Sequence, residues 1–87
     1  METKIAIISI IVEDLESSGP TNILLHEYSE YIIGRMGIPY RQKGIGIISV
    51  VIDAPQNVIS TLSGKLGKVK GINVKVAISK TGGNRLE

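Results

Sequence analysis

The chain has 87 residues, a net charge of +2 at pH 7 and no cysteine. A chain of this length forms one small domain, and the lack of cysteine excludes disulfides, thiolate metal sites and thiol nucleophiles. Its hydrophobic content of 43% is almost wholly aliphatic, without Phe or Trp, which favours a sheet-rich core. Acids interrupt the apolar N-terminal stretch too early for a signal peptide or a membrane span. We therefore expect a cytoplasmic protein.

Two stretches are apolar at both odd and even positions, which is typical of central strands. The first is Lys4–Glu13, and the second runs over Ile45–Ile52. Asp53 and Pro55 follow the second stretch and predict a helix start, because a carboxylate stabilises free N–H groups and a proline loses no hydrogen bond in a first turn.

Two helices are predicted between and after these strands. Residues Glu13–Thr21 include Gly19 and Pro20, which indicates a loop or an interrupted first turn. From Asn22 the apolar residues recur at helical spacing, which predicts helix one; whether it begins before or after Pro20 stays open. After Pro55 the same spacing predicts helix two, through Val58, Ile59, Leu62 and Leu66.

The two remaining strands have the features of edge strands. Ile32–Tyr40 contains Pro39, which has no N–H for a strand ladder, and Ile72–Ile78 alternates apolar with polar residues. The resulting order βαββαβ predicts an α+β, ferredoxin-like sandwich, with an antiparallel sheet of order 4-1-3-2 and both helices on one face. Aliphatic residues remain on the uncovered face, so we expect a homo-oligomer, either a dimer or a tetramer.

Two runs carry a family resemblance: Leu25–Tyr40 (LHEYSEYIIGRMGIPY) and Asp53–Gly71 (DAPQNVISTLSGKLGKVKG). They resemble the small ACT-like proteins of the iron-only hydrogenase system regulator family, which is related to the ligand-binding domain of the nickel-responsive repressor. The resemblance implies one ACT-like domain over residues 1–80, with a regulatory role that senses a small metabolite or contacts a partner protein. Because no separate DNA-binding segment is present, we expect any transcriptional effect to be indirect. We expect residues 81–87 to be a disordered or vector-encoded tail.

The candidate ligand-binding residues are Asn22, Gly34, Arg35 and Gly37. Glycines beside the edge hairpin let a ligand approach the backbone, and an arginine can bind a carboxylate through two parallel hydrogen bonds. The resemblance implies a site near the first loop and the edge strand, over Glu13–Asn22 and Ile32–Pro39. The alternative is that the glycines serve turns and that the arginine is solvated.

Catalysis and metal binding have little support in the sequence. His26 is the one histidine, and a transition-metal site needs three or four ligands unless subunits share it. Nickel sensing is therefore disfavoured, and we expect no catalytic residue, metal ligand or cofactor. Two alternatives remain open: a small ferredoxin-like enzyme with a subunit-shared site near His26, and a ligand-free interaction protein. The predicted central strands lack aromatic residues for base stacking, so we expect no direct nucleic-acid binding.

Overall fold

A computed structural model describes residues 2–80 of the chain and contains the predicted elements in the predicted order. The strands are β1 (Lys4–Val12), β2 (Ile32–Tyr40), β3 (Ile45–Ala54) and β4 (Ile72–Ile78), and the helices are α1 (Ser18–Glu27) and α2 (Gln56–Gly67). Short 3-10 turns lie at Leu15–Ser17, Ser29–Tyr31 and Arg41–Lys43. The tail predicted at 81–87 lies outside the described residues.

The four strands form one antiparallel sheet of order β2-β3-β1-β4, which confirms the predicted ferredoxin-like arrangement. β1 pairs with β3 along its whole length and with β4 on its other side. β2 pairs only with β3, and its register shifts between Ile32 and Gly34. The two strands that are apolar at both odd and even positions, β1 and β3, are thus the central strands of the sheet.

The hydrophobic core lies between the sheet and the two helices. Every second residue of the central strands is buried there, together with one residue of α1 and three of α2. Its members are Ala6, Ile8, Ile10, Val12, Leu25, Ile48, Val50, Ile52, Ala54, Ile59, Leu62 and Leu66. Over residues 2–80, neither helix is long and apolar enough to cross a membrane.

Within residues 2–80, the opposite side of the sheet carries no helix, and we call it the outer face. Its large exposed side chains are Ile7, Ile11, Met36, Ile38 and Tyr40. Ile7 and Ile11 alternate with buried core residues of β1, while the three β2 residues pair with outward-pointing residues of β3. The outer face is therefore predominantly aliphatic, as the sequence predicts.

Helix α1 begins at Ser18, before Pro20, and so includes Gly19 and Pro20, which answers the point that the sequence leaves open. Pro20 is the third helical residue, where the backbone N–H has no partner inside the helix and its loss costs little. The helix ends at Glu27, so Tyr28 caps it and Tyr31 falls in the following 3-10 turn.

The interpretation of Asp53 as a helix cap is wrong. β3 continues to Ala54, and Pro55 occupies the N-cap position of α2 without a side-chain hydrogen bond. Because successive strand residues point to opposite sides, Asp53 projects toward the outer face while Ala54 points into the core. The first α2 hydrogen bonds run instead from the Val58 and Ile59 N–H groups to the Pro55 carbonyl.

Candidate functional site

A groove of about 220 Å³ lies beside the N-terminal half of α1, over the paired ends of β2 and β3. Its walls are Ser18 and Asn22 of α1 on one side and Arg35 and Pro39 of β2 on the other. Ligand sites for drug-sized molecules enclose about 300–1,000 Å³. The size of this groove therefore suits a smaller organic molecule.

Two glycines create the space for the groove. Gly37 and Gly46 lie on the helix-facing side of β2 and β3 and form part of the lining. A Cβ added to Gly37 would meet no heavy atom within 4 Å, and one added to Gly46 would come no closer than 3.7 Å to the Val12 Cβ. These glycines are thus not required by crowding of the backbone, and their effect is to leave the floor of the groove uncovered.

Arg35 provides the single charged group of the lining. Its Nη2 donates a hydrogen bond to the Oδ1 of Asn22, which links β2 to α1 across the groove. A guanidinium has five N–H donors, so this bond holds the side chain while most of the donors stay available. The lining contains no Asp or Glu, and the groove is consequently electropositive and favourable for an anion.

Hydrogen bonds between the segment that follows β1 and the segment that precedes β4 hold the start of α1 in place. The Gly71 carbonyl accepts hydrogen bonds from the Glu13 N–H at 2.7 Å and from the Asp14 N–H at 3.1 Å. The Ser17 hydroxyl donates to the Lys70 carbonyl, and the buried Thr21 hydroxyl donates to the Ser17 carbonyl at 2.7 Å. These bonds fix the first turn of α1, and with it the Ser18 side of the groove.

The structure brings together three of the four predicted ligand-binding residues, Asn22, Arg35 and Gly37, which all line the groove. Gly34 does not line it, because Gly34 pairs with Val51 and so belongs to the other face of the sheet. Ser18 was not singled out by the sequence analysis. Its spacing of four residues from Asn22 is the signal that would have identified it, had the helix been extended through Pro20.

His26 lies away from the groove, exposed on the last turn of α1. Within residues 2–80, no three His, Cys, Asp or Glu side chains form a group that could hold a metal ion. In the described part of the chain the groove is therefore the candidate site. Its side chains can bind a ligand through hydrogen bonds and charge.

Comparisons with known proteins agree with this architecture. The TM1266-like family model, described as "Iron-only hydrogenase system regulator, putative", matches residues 4–76. The TM1266 protein from Thermotoga maritima is 39% identical, with a TM-score of 0.86 over 91% of this chain and 100% of that protein. None of the curated proteins matches this chain.

A formyltetrahydrofolate deformylase from Pseudomonas putida KT2440 is 15% identical, with a TM-score of 0.61 over 84% of this chain and 28% of the deformylase. At this identity the likeness shows only a shared fold. The family model, by contrast, covers nearly all of the two-layer structure, including both sides of the groove. The chain therefore belongs to the TM1266-like family.

Proposed function

We propose that this chain is a cytoplasmic, non-enzymatic regulatory module that senses a small carboxylate-bearing metabolite in the groove between α1 and β2. The observation that carries the proposal is the position of Arg35, the one charged residue of the groove, held by Asn22 over a floor made of glycine. Membership of a family described as a regulator supports a role in control over one in catalysis.

The groove suits a carboxylate for three reasons. The free guanidinium donors of Arg35 can bind both oxygens of a carboxylate in parallel. The Ser18 hydroxyl and the first turn of α1 lie on the same side, where the positive end of a helix favours negative charge. The aliphatic wall formed by Val12 and Ile48 can cover the carbon skeleton of the ligand.

A sensor must also change its own structure or stability when the ligand binds. The groove spans two layers of the fold, since Asn22 belongs to a helix and Arg35 to an edge strand. An anion bound between Ser18 and Arg35 would add a second link between α1 and β2. We therefore expect the ligand to tighten the packing of β2 against the rest of the fold.

The test is a thermal-unfolding screen of the purified chain against amino acids and small mono- and dicarboxylic acids, each compared with its amide. A compound present at about 100 times its Kd adds roughly 2.7 kcal/mol to stability. For a domain of this size, that gain raises the Tm by about 10 °C or more. We expect at least one acid to produce such a shift and its amide to produce none.

Two variants localise the binding. Arg35→Gln should abolish the shift, while Arg41→Gln, which removes an exposed cation outside the groove lining, should preserve it. Gly37→Val should also abolish binding while leaving Arg35 intact, because its side chain enters the groove without a backbone clash. A screen in which no acid raises the Tm, or in which Arg35→Gln responds like the unmodified chain, would refute the proposal.

A further inference from the structure

The outer face exposes a connected apolar surface across three strands. Ile7, Ile11, Met36, Ile38 and Tyr40 are each between 40% and 51% exposed. They are continuous with one another through β3, where Ile47 pairs with Ile38 on one side and with Ile11 on the other. Soluble monomers rarely leave a contiguous apolar surface larger than a few hundred Å² in contact with water.

The size of this face is close to what a specific interface requires. Four strands spaced about 4.8 Å apart, with outward residues spanning about 27 Å of β3, give an area of about 500 Å². Two such faces in contact would remove about 1,000 Å² from water, which is the lower limit for a stable, specific protein interface. A copy of the same chain therefore supplies a partner of sufficient area.

Charge provides an independent argument for a second copy. Just two residues that point outward from the described strands are charged, Asp53 on β3 and Lys75 on β4. Asp53 pairs with Ile5, while Lys75 pairs with Ser9 on the far side of β1, so strand geometry separates the two charges by about 16 Å. They are too distant to pair within one chain.

Asp53 also lacks a partner in the part of the chain that the structure describes, where its Oδ1 is buried without a hydrogen bond. Half-buried carboxylates are normally paired or hydrogen-bonded. A twofold axis converts one cation and one anion on the same face into two equivalent contacts, because each copy offers its lysine to the aspartate of the other.

We propose that a second copy of this chain covers the outer face, forming a sheet-on-sheet dimer with an aliphatic centre and two symmetric Lys75–Asp53 ion pairs. Two sheets packed this way lie about 10 Å apart, which allows their inward side chains to interdigitate. This inference is independent of the ligand groove, since the groove lies on the helix-facing side of the sheet.

Sedimentation equilibrium between about 1 and 100 µM tests the proposal. The unmodified chain should have twice the mass of one chain, and Ile7→Glu should raise the dimer dissociation constant by at least about 100-fold, since it buries a charge in the apolar centre. The matched control is Ile23→Glu, a site that is 63% exposed on α1 and so lies on the side of the sheet opposite the outer face, and it should stay dimeric. Circular dichroism should show native secondary structure for both variants.

The ion pair has its own test, which does not depend on placing a charge in the apolar centre of the outer face. Lys75→Glu should weaken the dimer by about tenfold or more, because it places like charges together. Adding Asp53→Lys to Lys75→Glu should restore most of the affinity. A monomeric unmodified chain at 100 µM would overturn the proposal. So would a dimer that survives both Ile7→Glu and Lys75→Glu, which would instead indicate pairing through the open edge of β2.

Discussion

Gly71 offers a sharp test of how the start of α1 is held. It adopts φ +81°, a left-handed conformation that costs other residues roughly 1–2 kcal/mol. A Cβ at this position would also lie 2.6 Å from the Asp14 Cβ and 2.9 Å from the Ser17 Oγ. The first of these atoms is fixed to the backbone and cannot rotate away, so overpacking adds about 1–3 kcal/mol. Gly71→Ala should therefore destabilise the fold by about 2–5 kcal/mol.

Gly44 is the matched control, because it adopts a similar φ of +65° but has no heavy atom within 4 Å of the added Cβ. Gly44→Ala should cost only the conformational term, about 1–2 kcal/mol. Urea unfolding at one protein concentration measures both variants, and at a slope of about 1.5 kcal/mol/M their midpoints should differ by roughly 1–2 M. Equal midpoints would show that the corner between β1 and β4 is not closely packed, contrary to the structure.

Three further predictions concern the core and the helices. Leu62→Ala, at a fully buried site on α2, should cost about 2–5 kcal/mol in urea unfolding, while Ile23→Ala at a site 63% exposed should cost less than about 0.5 kcal/mol. Thr21→Val should cost about 1 kcal/mol, because it removes a buried hydroxyl that donates a 2.7 Å hydrogen bond; an unchanged midpoint would contradict this. The Lys65 Nζ lies 5.3 Å from the centroid of the Tyr28 ring, and Tyr28 raises the pKa of Lys65 above the ordinary 10.5. A lysine whose pKa is higher in the folded than in the unfolded chain stabilises the fold fully at pH values below its ordinary pKa. This stabilisation is lost as the pH rises through the higher pKa of the folded chain. NMR titration of the Lys65 side chain should show the raised pKa, and Tyr28→Leu should lower it toward the ordinary value, while the nearby charge of Glu27 still raises it.

The architecture could be predicted from hydrophobic patterning, because each strand's position in the sheet follows from which of its faces is apolar. The stretches apolar at both odd and even positions became β1 and β3, and Pro39 correctly placed β2 at an edge. Two rules compete at the start of α1, so the sequence leaves open whether this helix begins before or after Pro20. Gly19 and Pro20 are typical of loops, but a first helical turn tolerates both.

The site could be predicted only in part. Strand alternation is enough to place Arg35 and Gly37 on one face and Gly34 on the other, since Gly34 and Gly37 are three residues apart. The approach of Asn22 to Arg35 was not predictable in the same way. It depends on how α1 packs across the edge of the sheet, which sequence spacing within either element does not determine.

Strand β2 contributes residues both to the ligand groove and to the proposed dimer interface. Arg35, Gly37 and Pro39 line the groove, and Met36 and Ile38 between them point to the outer face, although Ile38 also contributes to the groove lining. If both proposals hold, a shift of β2 on binding the acid changes how the two copies fit. Thermodynamic linkage then requires that dimerisation changes the affinity for the acid by the same factor. Ligand affinity would in that case depend on protein concentration, so the amount of this protein in the cell would help to set the metabolite level at which it responds.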